Sequence, residues 1–315
     1  MAGVVSRSGI RGERVWCRFL GSHPIIDHIG GCGLDNQIPI KLLVLDLDGT
    51  VLRGDGSLSD ALMDAIREVR GLGITVMLAT GRMVRSAEPA WLQLGLGPGP
   101  LIAYNGSMVV EMPRKNPWFS WHLTDDVAQV VINEALDADI LTQVYVGNEL
   151  WLSKEDERAQ HYIRVNHIPG EVKSRDSILK WPSPPIKLLL QDDSDKLDQF
   201  RAHISQTVLG LQGRIFKSQA DYLEIVPAGV GKGPALAKVA KRLHIDPQEI
   251  MAIGDAENDV DMLRLAGLGV AMGQAPDFVK QAADVVTRSV EEDGAAYAIR
   301  RWLLDPLHGL HKVKH

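Results

Sequence analysis

Cysteine is nearly missing from this chain: 315 residues carry two, Cys17 and Cys32, both near the N-terminus. A disulfide framework is therefore excluded as the source of stability, and a reducing, cytoplasmic setting is expected. No apolar run approaches the ~20 residues of a membrane-spanning helix. Excess positive charge is lacking too. Lys and Arg number 34 against 40 Asp and Glu, a net charge of −6, so the chain has no basic footprint for nucleic acid or an anionic membrane surface. There is no internal repeat and no low-complexity tract. What is present is 45% hydrophobic residues in a length that suits about two domains of ~150 residues.

Residues 1–40 differ from the rest. They are Gly-rich, carry Arg7, Arg11, Arg14 and Arg18, and lack a clean hydrophobic period. A disordered extension or a start site set too far upstream is expected here, with an Arg-rich transit peptide as the alternative. From residue 41 the pattern alternates strand and helix. Strands are predicted near 41–46, 74–79 and 101–104, with helices over 59–69 and through about 94, which implies a parallel, doubly wound beginning. After about Leu123 the rhythm becomes mixed. Helices near 125–136, 155–165 and 195–208 alternate with a hairpin across Gly147-Asn148, a strand over 186–191 and an antiparallel pair near 214–226. The first rhythm returns at Gly233. The expected architecture is α/β: a doubly wound, parallel-sheet, Rossmann-like core of residues 41–123 and 227–315, with an α+β domain inserted over 124–226.

The chemistry gathers where the core strands end. Lys41-Leu-Leu-Val-Leu-Asp-Leu-Asp-Gly-Thr50 sets Asp46 and Asp48 after an apolar strand. Open α/β sheets bind ligands outside the carboxyl ends of their strands. Two acids buried side by side need a cation or a shared proton. Thr80 ends the second strand, Lys232 opens a helix of the returning core, and Asp255 ends a later strand. Phosphoryl transfer asks for charge neutralisation and positioning, and these residue types supply both. Mg²⁺ favours one or two carboxylates with water and substrate phosphate, which suits Asp46 and Asp255. Lys232 can hold phosphate as a point charge, and Thr80 and Gly81 can donate to its oxygens. Each residue taken alone reads as ordinary loop chemistry; their joint occurrence at strand ends overrides that. A P-loop is rejected because Gly233 stands where Ser or Thr must hold magnesium, and Gly267, Gly269 and Gly273 fail the dinucleotide spacing.

Asp46-Leu-Asp-Gly-Thr50, Thr80-Gly-Arg82, Lys232 and Gly254-Asp-Ala-Glu-Asn-Asp259 together resemble the four motifs of haloacid dehalogenase-like phosphatases. Asn105-Gly106, Glu224-Ile-Val-Pro227 and Gly269-Val-Ala-Met-Gly273 are similar to the Cof-type branch, which carries a large cap between the second and third motifs. The resemblance implies Asp46 as a nucleophile that forms an aspartyl-phosphate, and Asp48 as the acid that protonates the leaving oxygen and then activates water. It further implies Mg²⁺ on Asp46, the backbone carbonyl of Asp48, and Asp255. Phosphate contacts are implied from Leu47, Thr80, Gly81, Lys232 and Asn258, with Asp259 in support. Gly231 and Gln274 depart from the usual residues but stand outside the implied chemistry.

The expected function is a Mg²⁺-dependent phosphatase of small phosphorylated metabolites, sugar phosphates foremost, acting as a monomer or small homo-oligomer. Alternatives are a phosphomutase using the same aspartate, or a phosphatase of a cofactor such as FMN or pyridoxal phosphate. A catalytically silent binding protein is argued against by the intact Asp46, Asp48, Thr80, Lys232 and Asp255. In the insert, Tyr145, Asn148, His161, Arg164 and His167 are candidates for substrate contact. The last three recur every third residue, and a solvated polar helix face is the favoured reading of them.

Overall fold

The computed structural model describes residues 39–307. The extension expected over residues 1–40, with Cys17 and Cys32, thus lies outside the described residues, Pro39 and Ile40 excepted. Leu42–Leu45 form β1, and all four side chains are buried. A strand with no polar face is satisfied only in a sheet covered on both sides. The chain continues through α1 (Asp60–Gly71), β2 (Thr75–Ala79), α2 (Val84–Gln93) and β3 (Gly99–Ala103), then β4 (Met108–Met112) and β5 (Asn116–Ser120). Helix α1 starts where Ser59 accepts a hydrogen bond from the Leu62 N–H at 3.1 Å, and it buries Leu62, Ala65, Ile66 and Val69, one stripe of a 3.6-residue period.

The inserted segment comprises α3 (Asp125–Asp137), β6 (Leu141–Val146), β7 (Glu149–Leu152), α4 (Glu157–Asn166), β8 (Glu171–Val172), α5 (Arg175–Ile178), β9 (Lys187–Gln191), α6 (Ser194–Gly210), β10 (Gly213–Gln219) and β11 (Tyr222–Pro227). The chain then returns through α7 (Lys232–Leu243), β12 (Ile250–Gly254), α8 (Val260–Leu265), β13 (Leu268–Ala271), α9 (Asp277–Lys280), β14 (Val285–Val286) and α10 (Gly294–Ile299).

Two sheets result. The first has the order β14-β13-β12-β1-β2-β3-β4-β5, and the second β10-β11-β9-β6-β7-β8. In the first sheet the strands from β14 to β3 run parallel, as the alternation of strand and helix predicts. Leu43 and Leu45 pack with α1, α2 and α10, while Leu42 and Val44 pack with α7 and α8 on the opposite face. This is the period-two alternation of a sheet with two buried faces. In the second sheet, Val144, Leu188, Leu190, Leu223 and Ile225 pack against α3 and α6. Tyr145, Leu189 and Tyr162 of α4 join instead the cluster that contains the end of β1. The inner face of the insert thus packs in the same cluster as the end of β1.

The described chain departs from expectation beyond β3. The sequence pattern predicts no element over residues 107–120, yet β4 and β5 add two antiparallel strands there. No helix separates them, so the alternating rhythm passes over them, and Pro117 in β5 is tolerated because that strand lies at the sheet edge. The turn into β4 is unusual: Tyr104, Asn105 and Gly106 have φ of 51°, 55° and 96°, three left-handed residues in succession. A Cβ at Gly106 would overlap the Gly231 carbonyl at the start of α7. Gly106→Ala is therefore expected to cost roughly 3 kcal/mol in thermal or urea unfolding, combining backbone strain with a backbone clash. A loss below about 1 kcal/mol would mean that the Gly231 carbonyl has room to move.

Candidate active site

Because β1, β2 and β12 run parallel, their C-terminal ends share one edge, and Asp46, Thr80 and Asp255 follow them directly. Carboxylate oxygens of Asp46, Asp255 and Asp259 lie within 4.8 Å of one another. Lys232, the first residue of α7 and 1% exposed, donates to Asp46 and to Asp259 Oδ1, the latter at 2.6 Å. The second oxygen of Asp259 accepts the N–H groups of Asp255 and Ala256 at 2.9 and 3.0 Å. Both oxygens of Asp259 are thus engaged, which fits a supporting role. Asp255 Oδ1, by contrast, is buried without a hydrogen-bond partner. Gly49 lets the β1 loop approach this group, since a Cβ there would overlap the Asp255 carboxylate. A buried orphan oxygen within a set of hard carboxylate donors fits a small divalent cation.

The electrostatics agree. Burial, then the charge of Asp259, pushes the Asp46 carboxyl well above the ordinary range, against the pull of Lys232. Burial and Asp259 raise Asp255 to about 7. For Lys232, burial alone would lower the ammonium, but Asp259 and Asp46 outweigh it and hold the group above its usual value. The cluster carries more negative charge than one lysine offsets.

The other expected residues lie around this centre. Thr80 is fully buried, and its Oγ1 accepts the Arg82 N–H at 3.0 Å. Its own hydroxyl hydrogen remains to be donated elsewhere. Leu47 buries its side chain in the core, so only its main chain can face a ligand. Asn258 is buried and donates to Asn105 Oδ1 at 2.8 Å, which ties the β12 loop to the left-handed turn after β3. Gly81 packs against the same amide, 3.0 Å from where its Cβ would stand. The Asp48 side chain is 39% exposed and is held by Arg82, whose Nη2 and Nε donate at 2.6 and 2.9 Å.

Three contributors carried no assigned role in the sequence reading. Arg82 stands in the Thr80-Gly-Arg82 motif and its partner Asp48 in another, but the sequence does not say that the two side chains meet. Gln274, set aside as a loop departure, donates to the Gly49 carbonyl at 2.5 Å and to Asp255 Oδ2 at 3.3 Å, so it joins the two acidic loops. Lys187 is a buried cation beside three leucines in β9, and the signal that could have found it is the charge set in the run Ile186-Lys-Leu-Leu-Leu190. Of the five candidates in the insert, Asn148, His161, Arg164 and His167 are exposed. Tyr145 is fully buried and shares a 2.5 Å hydrogen bond with the Tyr162 hydroxyl. Among the described residues, no helix is long and apolar enough to cross a membrane.

Comparison with known proteins adds three kinds of likeness. The model of the haloacid dehalogenase-like hydrolase family matches residues 43–299. A 5-amino-6-(5-phospho-D-ribitylamino)uracil phosphatase of Bacillus subtilis is 30% identical, over 85% of this chain and 98% of that protein. An HMP-PP phosphatase of Cronobacter sakazakii is also 30% identical, over 84% of this chain and 97% of its own length. The crystal structure of a haloacid dehalogenase-like hydrolase from Bacteroides thetaiotaomicron superposes with a TM-score of 0.72 at 30% identity, covering 83% of this chain and 99% of that one.

The raised Asp255 carboxyl sets a pH dependence. Folding favours its protonated form, so its cost is absent below the ordinary carboxylate value of 3.8 and complete once pH has risen through about 7. A divalent cation binds the ionised form and offsets that cost over the same interval. The cation is therefore expected to raise the melting temperature more at about pH 8 than at about pH 5. Equal rises at both would exclude the carboxylate cluster as its site.

Proposed function

The chain belongs to the haloacid dehalogenase-like hydrolases and is a phosphatase of the Cof type, and from that we propose that it hydrolyses small phosphorylated metabolites through a phosphorylated Asp46. Sugar and polyol phosphates are the foremost class, in keeping with the phosphoribityl group in the name of the Bacillus relative. The observation that carries the reading is Lys232 bridging Asp46 and Asp259 at the edge where Asp48, Thr80 and Asp255 also end their strands. In this reading residues 41–123 and 227–315 are the catalytic core, and 124–226 its cap.

The reaction divides into two displacements. In the first, an Asp46 oxygen attacks phosphorus, the bond from phosphorus to the leaving oxygen breaks, and Asp48 gives that oxygen its proton. In the second, Asp48 takes a proton from water, whose oxygen attacks the phosphorus of the aspartyl-phosphate and frees Asp46. Asp46, the Asp48 main-chain carbonyl and Asp255 would hold Mg²⁺, which supplies the charge neutralisation that lets a carboxylate approach a phosphate. An ammonium has three N–H donors, and Lys232 spends two on Asp46 and Asp259, which leaves one for a phosphate oxygen. The Thr80 hydroxyl, the Gly81 and Leu47 main chain and the Asn258 amide complete the phosphate contacts. Arg82 keeps the Asp48 carboxyl oriented at the mouth of the site.

A second substrate class has one observation in its favour. The rings of Tyr162 and Tyr222 lie 5.9 Å apart, and both phenols are raised by burial first and by the Asp48 charge among the rest. An aromatic wall beside the acid–base residue suits a leaving group with a flat ring, as in FMN or pyridoxal phosphate.

Asp46→Asn is expected to lower turnover by more than ~10³-fold with a melting temperature no lower than that of the wild type, because the nucleophile is lost while a buried, repelled charge is removed from the cluster. Residual activity within a few per cent of wild type would exclude Asp46 as nucleophile. A phosphate-release screen across sugar phosphates, nucleotides, FMN and pyridoxal phosphate, with and without chelator, identifies the substrate class. Full activity in excess chelator would remove the metal from the mechanism.

A further inference from the structure

The Gly81–Arg82 peptide is gripped from two sides. Its N–H is accepted by Thr80 Oγ1 at 3.0 Å, within the first sheet's own loop. Its carbonyl accepts from Lys187 Nζ at 2.8 Å, a group that arrives from the second sheet, 106 residues further along the chain. Lys187 opens β9, and its side chain is 1% exposed. The same ammonium donates to Glu224 on β11 at 2.8 Å and stands 4.6 Å above the Tyr145 ring. Glu224 is fixed in turn by the Ser218 hydroxyl at 2.8 Å. Every member of this set is held by another.

Stability alone is a weak reason for such a pair. Desolvating a lysine and a glutamate together costs several kcal/mol per ion, and apolar residues of similar volume often do as well. The cation's reach is more telling. On the far side of the peptide it grips, the Arg82 side chain runs to Asp48 and makes a two-point contact with its carboxylate. Among the described residues, all hydrogen bonds to that carboxylate come from Arg82. The aim of Asp48 therefore depends on Arg82. The backbone of Arg82 is held by Thr80 and Lys187 at the peptide before it and by the Tyr104 N–H, 3.0 Å from its carbonyl, at the peptide after it.

We propose that Lys187 is a positioning residue for proton transfer: from the inserted sheet it pins the Gly81–Arg82 peptide, and through Arg82 it aims the Asp48 carboxyl at the leaving oxygen. The inference rests on the reading of Asp48 as the acid–base residue. It gives the insert a part in the chemical step besides enclosing the leaving group. A misplacement of ~1 Å in such a group is enough to cost ~10²-fold in rate.

The test uses leaving groups of different basicity. 4-Nitrophenyl phosphate departs as a stable phenolate and needs little protonation, whereas an alkyl phosphomonoester needs it fully. In the full chain with Mg²⁺, Lys187→Met is expected to lower kcat/KM, which reports phosphoryl transfer to Asp46 and excludes the water step common to both esters, by ~10–10²-fold on an alkyl ester that the wild type turns over and by less than ~3-fold on the nitrophenyl ester. Arg82→Gln should give the same selective loss, and the double variant should be no worse than Arg82→Gln alone, because the two act along one route. Equal losses on both esters, an unchanged ratio between them, or losses that multiply in the double variant would overturn the proposal. If Lys187→Met does not fold, Lys187→Gln, which is uncharged and shorter but keeps a polar end beside Glu224, decides it by the same ratio. Asp48→Asn separates the two levels: retained alkyl-ester activity there removes the acid–base reading itself. A dead Asp48→Asn beside Lys187 variants of wild-type ratio removes only the positioning role.

Discussion

Three carboxylates within 4.8 Å repel one another, and most of the site's architecture follows from how that repulsion is met. One ammonium, Lys232, answers for two of them and is as deeply buried as they are. It comes from 186 residues beyond Asp46, so the site exists only when the two parts of the first sheet are joined. Its station at the first turn of α7 sets the helix against the acidic edge, and the close approach of Gly106 to Gly231 locks that helix start to the turn after β3. The remaining negative charge is left unbalanced by the protein, which is why a buried Asp255 oxygen stands without a partner.

A division of labour between the two sheets follows. Groups that touch phosphate and metal in our reading come from loops of the first sheet, at strand ends fixed by backbone pairing. The insert meets that edge with side chains: Lys187 of β9 at Gly81, Arg201 of α6 at Glu257 with contacts of 2.6 and 3.0 Å, and Arg214 of β10 at Asp261 of α8 at 2.8 Å. Backbone pairing is rigid, while side-chain bridges can be made and broken. Ser86 adds a tie on the other flank, donating to the Asn166 carbonyl at 2.8 Å.

Much of the first sheet was legible because buried parallel strands and their crossover helices write a strong pattern, as in the four-residue run of β1 and the capped stripe of α1. The acidic residues and Lys232 were legible because chemistry confines them to strand-end loops. What stayed hidden depends on partners far away in sequence. Arg82 lies beside Thr80 and Gly81, yet nothing local says that its guanidinium turns to Asp48 and not to solvent. Gln274 looked like loop variation because its amide matters only once the β1 and β12 loops are adjacent. The strands β4 and β5 were missed because antiparallel neighbours need no helix between them, and the edge position of Pro117 is a property of the sheet that a linear reading does not contain.

The pairing of β1 with β12 sets Leu42 beside Ile250 and Leu45 beside Ile253. These partners stand roughly two hundred residues apart, so the central ladder of the sheet is among the most non-local contacts in the molecule and must form late. During synthesis the first half waits with one edge of β1 unpaired while the insert emerges, and the insert holds a sheet and helices enough to fold on its own schedule. A folded insert shortens the effective loop that the returning strands must close. The segment we read as the cap is thus also the scaffold that brings the two ends of the core together in the first place.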